Sequence, residues 1–407
     1  MAALEQCTTD AELDESLASV NFDQYNATID LEELTVRYFH VLGVYAEGEV
    51  QTNLAAMRRM MTAAHQGYSE PSAIPYHNWN HGVDVGQAVL SLVKDVPHFT
   101  KLEKFALVTA AILHDIGHPG VTNAFLIASK NKLVEEYGQE SVLEQFHVTT
   151  ALKVIAENAE GEDGGILGML NEEQKATFAE VLRCSILATD MARHGKILGD
   201  FKARIEAGAY PEGVTAEDLV HEDRMLLVMM TIKCADISNV CRKFDVAEKW
   251  TNQIAEEFLA QGDEEKRLGL PVTPMNDRTK FKSPAHMVCG FIDFVAQGTH
   301  DELEKVLPSA VPFAQNSRDN RQTFETLKPA DPAPPAEVAT AQPVATSTGE
   351  AASEAASGAP ARTAPDSPPG SPGGGGGGGG SNWCGCLAPA GGDDARFTDD
   401  GDKSQST

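Results

Sequence analysis

Basic side chains are scarce in this chain beside acidic ones. In 407 residues, 32 Lys and Arg face 60 Asp and Glu, a formal net charge of −28. Binding a phosphate backbone needs basic surface, so nucleic acid is excluded as a partner. No stretch approaches the run of about eighteen apolar residues that a membrane span requires, so no transmembrane segment is expected. The opening residues MAALEQCTTDAELDESLASV lack a basic start followed by an apolar run, and no signal peptide is expected. The seven cysteines, at 7, 184, 234, 241, 289, 384 and 386, are odd in number and scattered. They form neither a disulfide framework nor a paired zinc spacing. Together these absences lead us to expect a cytoplasmic protein. Strict alternation with β-branched enrichment is scarce, Asn-Gly hairpin signals are missing, and no repeat of fixed period occurs.

From Pro329 onward the chain is Ala, Pro, Ser, Thr, Gly and acid, with an unbroken glycine run at 373–380. Such a composition cannot bury enough apolar surface to offset its ordering entropy, so 329–407 is expected to be disordered. Ten Asp and Glu against three Lys and Arg give this tail −7 and leave −21 to the rest. Residues 21–328 are expected to form one catalytic domain, enough for one large core or closely fused subdomains. Residues 1–20 are expected to be a short extension, too few for a ligand-sensing module.

What is present in quantity is helical periodicity. IDLEELTVRYFHVLGVYAE (29–47), NLAAMRRMMTAAHQGY (53–68), VGQAVLSLVKDV (85–96) and KLEKFALVTAAILHD (101–115) repeat apolar residues at three and four. The stretches 123–138, 141–157, 178–205, 224–240 and 247–262 do the same. The expected fold class is all-α.

Several of these helices end in residues that do not belong in a core. After the apolar run 101–113 come His114 and Asp115 side by side and His118 a turn later, with Pro119 and Gly120 closing the helix. Burying an imidazole and a carboxylate there is costly unless something binds them. His77 and His81, four apart in YHNWNHGVDV, share a helical face. Asp236 ends the apolar run MMTIKCAD, Glu144 and His147 face one way from SVLEQFHV, and Asp190 closes SILATD. Taken singly, each has a plainer reading, since a core histidine is usually just satisfied and an Asp at a helix end usually caps it. Taken jointly, imidazoles and carboxylates with no well-placed thiolate suit Zn, Mn, Mg or Fe. Four such ligands leave coordination positions open to water, as catalytic sites do. A cation there would acidify water, neutralise phosphate oxygens and supply the positive charge this acidic chain lacks. The residues alone point to a metal-dependent phosphohydrolase.

In that order and spacing, YHNWNHGVDV, HDIGHPGVTNAFL, ESVLEQFH, ILATDM, KCADISN and GFIDF resemble the catalytic domain of class I cyclic nucleotide phosphodiesterases. The likeness runs from Asn21 to Lys328, where DNRQTFETL is similar to the family's last helix. It implies a compact all-α domain of about sixteen helices with a dinuclear metal pocket at a helical junction. His81, His114, Asp115 and Asp236 would hold a tightly bound zinc. Asp115 would also bridge to a second ion, magnesium or manganese, and hydroxide between the ions would attack phosphorus in line. His77 would be the general acid that protonates the departing 3' oxygen. His118, Glu144 and His147 would orient ligands and coordinated waters, with Thr189 and Asp190 near the second ion's waters. Tyr76, Met191, Asn239, Ile254, Val288 and Phe291 would line the nucleotide site. Among these, Phe291 and Ile254 would be apolar jaws on the base and Asn239 a hydrogen-bonding group to it.

Two departures stand out. The family's metal motif generally reads His-Asp-x-Asp-His, but here Gly117 holds the fourth position, so tuning rather than loss of metal is expected. The family also places a glutamine two residues before the glycine of GFID, where its amide reads the purine edge; here that residue is Val288. Losing those contacts, each worth about 0.5–1.5 kcal/mol, predicts weaker binding and blurred choice between cAMP and cGMP with intact phosphate chemistry. A rearranged loop that substitutes another polar group is the alternative. In the tail, acylation of Cys384 and Cys386 in NWCGC would tether the chain to a membrane; an unmodified tail is equally consistent.

The expectation is therefore hydrolysis of cAMP, cGMP or both to 5'-monophosphates. Two alternatives stay open, an HD-type phosphohydrolase of another nucleotide or phosphodiester and a low-turnover regulatory binder. A homodimer is compatible with the sequence.

Overall fold

The computed structural model describes residues 10–27, 29–159 and 163–329. Cys384, Cys386 and the disorder expected of the tail beyond residue 329 lie outside the described residues. Among those described, the chain forms fifteen α-helices joined by turns, 3-10 segments and one π-helical stretch, with no strand. None of these helices is long and apolar enough to cross a membrane.

Helices stop where side chains offer the backbone another partner. The periodic stretch 123–138 is two helices, Asn123–Ser129 and Lys132–Tyr137. Lys130 takes a left-handed φ of 54°, and the Asn131 side chain accepts from Leu133 N to start the second helix. Likewise 178–205 divides after helix Glu172–Ala188. There Asp190 accepts from Ala192 N and opens the 3-10 turn Met191–Arg193, before helix His194–Glu206.

At the centre, helix Trp79–Val93 buries every residue except Asn80. A helix apolar nearly all round belongs inside, with neighbours on every side. Its Gly82 and Gly86 face helix Lys101–Leu113. A Cβ on Gly82 would stand 2.7 Å from the Ile112 carbonyl oxygen, and one on Gly86 2.7 Å from Ile112 Cγ1. Two glycines one turn apart thus let the backbones approach closely and bring His81 beside His114. Helix Lys101–Leu113 begins with a reciprocal cap between Thr100 and Glu103 and ends at His114. Phe105 anchors its outer side, edge-on to Phe39 and Phe178 at 5.7 and 5.1 Å between ring centroids.

Three further helices complete the frame. Helix His221–Asp236 delivers Asp236 at its last residue, helix Val142–Glu157 carries Glu144 and His147, and the 25-residue helix Phe244–Leu268 carries Ile254. Leu17 and Val20 are buried in the same main core as these helices, so residues 17–20 pack into the body rather than lead up to it.

Candidate active site

His81, His114, Asp115 and Asp236 meet where the C-terminal ends of two helices reach the first turn of a third. Asp236 Oδ1 lies 3.1 Å from His81 Nε2 and 3.2 Å from His114 Nε2. Asp115 Oδ2 lies 3.5 and 3.1 Å from the same two nitrogens. Burial opposes the charge on both carboxyls, but the facing imidazoles outweigh it and hold Asp115 and Asp236 below the usual carboxylate range. His114 Nδ1 donates to the Ala111 carbonyl at 2.8 Å, which aims Nε2 at two carboxylate oxygens, and although burial opposes it, their charge raises His114 well above its ordinary value. Between them Nε2 and the carboxylates can share either a proton or a cation. The donor set is the one borderline and hard divalent ions prefer; His81, His114 and Asp115 have cation-ligand spacing, and Asp236 Oδ1 adjoins both imidazoles, so these residues fit such an ion.

A second group adjoins the first. His147 Nδ1 donates to the Ile116 carbonyl at 2.9 Å, so its buried Nε2 has a lone pair, no hydrogen-bond partner, and Asp115 Oδ1 at 3.7 Å. Asp115, His118 and His147 together form another cluster with cation-ligand spacing. Burial pushes His147 down to about 4, and burial with the nearby charge of His77 holds His118 well below its ordinary value. The His118 ring stacks between His77 and His147, at 4.1 and 5.6 Å between centroids. Tyr68 braces the motif, its hydroxyl donating to the Ile112 carbonyl at 2.7 Å and accepting from Asp115 N at 3.3 Å.

His77 stands at the rim, less buried than the four donors. Its Nδ1 is bonded to Glu257, a residue the sequence reading missed. Glu257 Oε2 also accepts the backbone amides of Tyr76 and His77, at 2.9 and 3.0 Å. Burial alone would lower the imidazole; the Glu257 charge and hydrogen bond, with Asp115 and Asp236, overcome it and raise His77 to about 9. In turn burial would raise Glu257, but His77 holds it down at about 2. The signal was present in spacing, since Trp250, Ile254, Glu257 and Gln261 recur as one helical stripe, all of it at least half-buried.

The remaining expected residues divide. Tyr76 is buried against His81 and Trp250, 4.6 and 5.5 Å between ring centroids, and Ile254 packs on this aromatic group. Asn239 is buried in the 3-10 turn Ser238–Cys241. Val288, 3% exposed in helix Pro284–Phe291, joins the main core, and Phe291 packs half-buried against that core. Glu144 accepts from the Asn123 amide at 2.9 Å, and burial raises it to about 7. Thr189 turns its hydroxyl back to the Ile186 carbonyl, and Asp190 accepts from Ser141 at 2.6 Å; neither bonds to the four donors. Met191 is 47% exposed. Buried Lys233, also missed, donates to the carbonyls of Ala188 and Asp190 at 2.8 and 3.4 Å, and burial lowers it to about 8. Its ammonium caps the helix end from which Thr189 and Asp190 emerge.

The missing motif carboxylate has a backbone cause. Gly117 has φ +79°, and a Cβ there would stand 2.9 Å from two ring atoms of Phe146. This turn is built around glycine.

The family model described as 3'5'-cyclic nucleotide phosphodiesterase matches residues 76–317. Similar curated proteins include a probable 3',5'-cyclic-AMP phosphodiesterase, pde-4, of Caenorhabditis elegans, 33% identical over 257 residues, 61% of this chain and 37% of that one. The high affinity cGMP-specific 3',5'-cyclic phosphodiesterase 9A of Homo sapiens is 33% identical over 273 residues, 66% of this chain and 43% of the relative. The cGMP-specific 3',5'-cGMP phosphodiesterase 3 of Dictyostelium discoideum is 30% identical over 308 residues, 75% and 62% respectively. The chain thus spans less than two thirds of the length of these relatives.

Proposed function

The chain belongs to the 3',5'-cyclic nucleotide phosphodiesterase family, and from that premise we propose that it hydrolyses cAMP and cGMP to their 5'-monophosphates. The observation that carries this reading is the convergence of His81 Nε2, His114 Nε2, Asp115 Oδ2 and Asp236 Oδ1, with His77 held by Glu257 at the rim. In this proposal the four donors hold zinc, and Asp115 with its neighbours His118 and His147 serves a second ion, magnesium or manganese. Bound there, divalent cations neutralise phosphate oxygens and lower the pKa of coordinated water.

The chain's own residues do the rest. His77 keeps its proton on the ring because Glu257 lies against Nδ1, so the opposite nitrogen can deliver a proton to the departing 3' oxygen. That delivery matters because a ribose alkoxide is a poor leaving group. Glu144 and His147 orient the water side, while Tyr76, Asn239, Ile254 and Phe291 take the nucleoside. Val288 offers the base no hydrogen bond, which supports acceptance of both purines. The same valine favours a second reading, hydrolysis of another phosphodiester at the same cation pair. Cytoplasmic residence, and tethering through acylated Cys384 and Cys386, extend the proposal; hydroxylamine-sensitive acyl labelling lost in Cys384→Ser/Cys386→Ser checks the tether.

The test is a comparison of rates on cAMP, cGMP and bis(p-nitrophenyl) phosphate by the full chain with magnesium or manganese, beside Asp115→Ala. Turnover of both cyclic nucleotides, absent from the variant, supports the proposal. Hydrolysis of the synthetic diester alone would move the assignment to the second reading.

A further inference from the structure

We infer that Arg242 is a positioning residue for the cation site, locking the helix that carries His81 to the turn that follows Asp236. The inference rests on reading the four converging donors as a cation site. Arg242 is fully buried, and a guanidinium so placed is costly unless its N–H groups are engaged. Here four hydrogen bonds and an ion pair engage it. Nε donates to Asp84 Oδ2 at 3.2 Å, and Nη2 donates to the Asp84 carbonyl at 2.8 Å, with the Asp84 carboxylate in ion-pair contact at 3.1 Å. Nη1 donates to Gln87 Oε1 at 2.5 Å and to the Val20 carbonyl at 3.1 Å.

The partners lie on the helix that holds the first ligand, since Asp84 and Gln87 follow His81 by three and six residues on helix Trp79–Val93. Gln87 passes the connection on, its amide donating to the carbonyls of Leu17 and Ser19 at 2.8 and 2.9 Å. From the other side, helix Val311–Thr326 fixes the same turn. Asn320 Nδ2 donates to the carbonyls of Val240 and Arg242, both at 2.7 Å, and Asn316 Nδ2 donates to that of Cys241 at 2.8 Å. Three successive carbonyls are therefore held by amides, while the Arg242 side chain is held by four hydrogen bonds and an ion pair.

A closed ring results. It runs from His81 along its helix to Asp84, across to Arg242, back through the turn to Asp236, and over 3.1 Å to His81 again. With the guanidinium gone, that ring is broken at its link between Asp84 and the turn. Lysine cannot replace it, having three donors on a point charge rather than a planar fork.

The experiment measures zinc affinity by chelator competition on the full chain, with folding checked by circular dichroism. Arg242→Lys should bind zinc about 10–100-fold more weakly, the usual cost of losing an outer support of a ligand. Asn316→Ala, which removes one bond to the turn and leaves the guanidinium, should weaken it about 2–10-fold; this milder variant decides the matter should Arg242→Lys not fold. Leu34→Ala, a buried truncation on helix Leu31–Val41, is the control for mere destabilisation and should keep wild-type affinity. Wild-type affinity in both turn variants would overturn the inference, as would equal weakening in Leu34→Ala. Zinc binding needs no substrate. A wild-type chain that binds zinc but leaves cAMP and cGMP intact would refute the proposed reaction while this inference stood, and one that binds no zinc would overturn both.

Discussion

Glu257→Gln should cost turnover through a proton, with the cations retained. Glutamine keeps the side chain's shape and one acceptor oxygen for the amides of Tyr76 and His77, but it removes the charge beside His77 Nδ1. Burial pulls His77 down; Glu257 is the chief group that overcomes burial and raises it to about 9. A general acid works while protonated, so activity should fall as pH rises through that limb. Without the carboxylate the limb moves toward the ordinary imidazole value of about 6.5. Above both values, each pH unit that the limb moves removes about tenfold of the protonated acid. A move of about two leaves about one hundredth, within the 10²–10⁴-fold that general acid catalysis supplies. The expected result is a kcat on cAMP about 10²-fold lower at alkaline pH, with a much smaller loss below pH about 6. A p-nitrophenyl diester, whose leaving group needs no proton, should be hydrolysed at nearly the wild-type rate. The assay is a pair of pH–rate profiles on the two substrates. An unmoved alkaline limb, or equal losses on both, would refute the role given to Glu257.

Restoring the family's carboxylate by Gly117→Asp should destabilise the chain by about 1–3 kcal/mol in urea unfolding, because a non-glycine residue is forced to φ +79° against Phe146; equal stability would contradict that account of the turn. Val288→Gln should lower the KM for a cyclic nucleotide about 2–10-fold while costing about 1–3 kcal/mol of unliganded stability as its amide enters the core. An unchanged KM would mean that position 288 does not face the base. Chelation should lower the melting temperature, since a cation bound only by the folded cluster of His81, His114, Asp115 and Asp236 stabilises it. Zinc returned at a hundred times its dissociation constant should restore about 2.7 kcal/mol, and a melting temperature indifferent to zinc would be inconsistent with the cluster's proposed role.

The parts of this site that were legible in the sequence are those whose chemistry conflicts with their immediate surroundings. His114 and Asp115 follow an apolar run, Asp236 ends another, and the conflict is visible within a dozen residues. The helices were legible for the same local reason, although Lys130 and Asp190 break two of them by conformations that periodicity does not register. What stayed hidden depends on distant partners. Arg242 and Lys233 look like surface cations until the carbonyls of Val20, Asp84 and Ala188 come to meet them. Glu257 sits beside exposed Glu256 in an acidic helix, and only the stripe it shares with Trp250 and Ile254 sets it apart. Gly82 and Gly86 read as weak points of a helix, whereas they let it approach Ile112. Val288 was identifiable as a missing amide, but not its burial in the main core, which depends on distant partners.

The most direct test strips the full chain of metal, returns zinc and magnesium, and follows bound cation and cAMP turnover together in wild type and Asp236→Ala. The account predicts that turnover to 5'-AMP reappears in wild type as the zinc site fills, while Asp236→Ala neither retains zinc nor turns over. Full turnover by Asp236→Ala, or by the stripped wild-type chain, would contradict it.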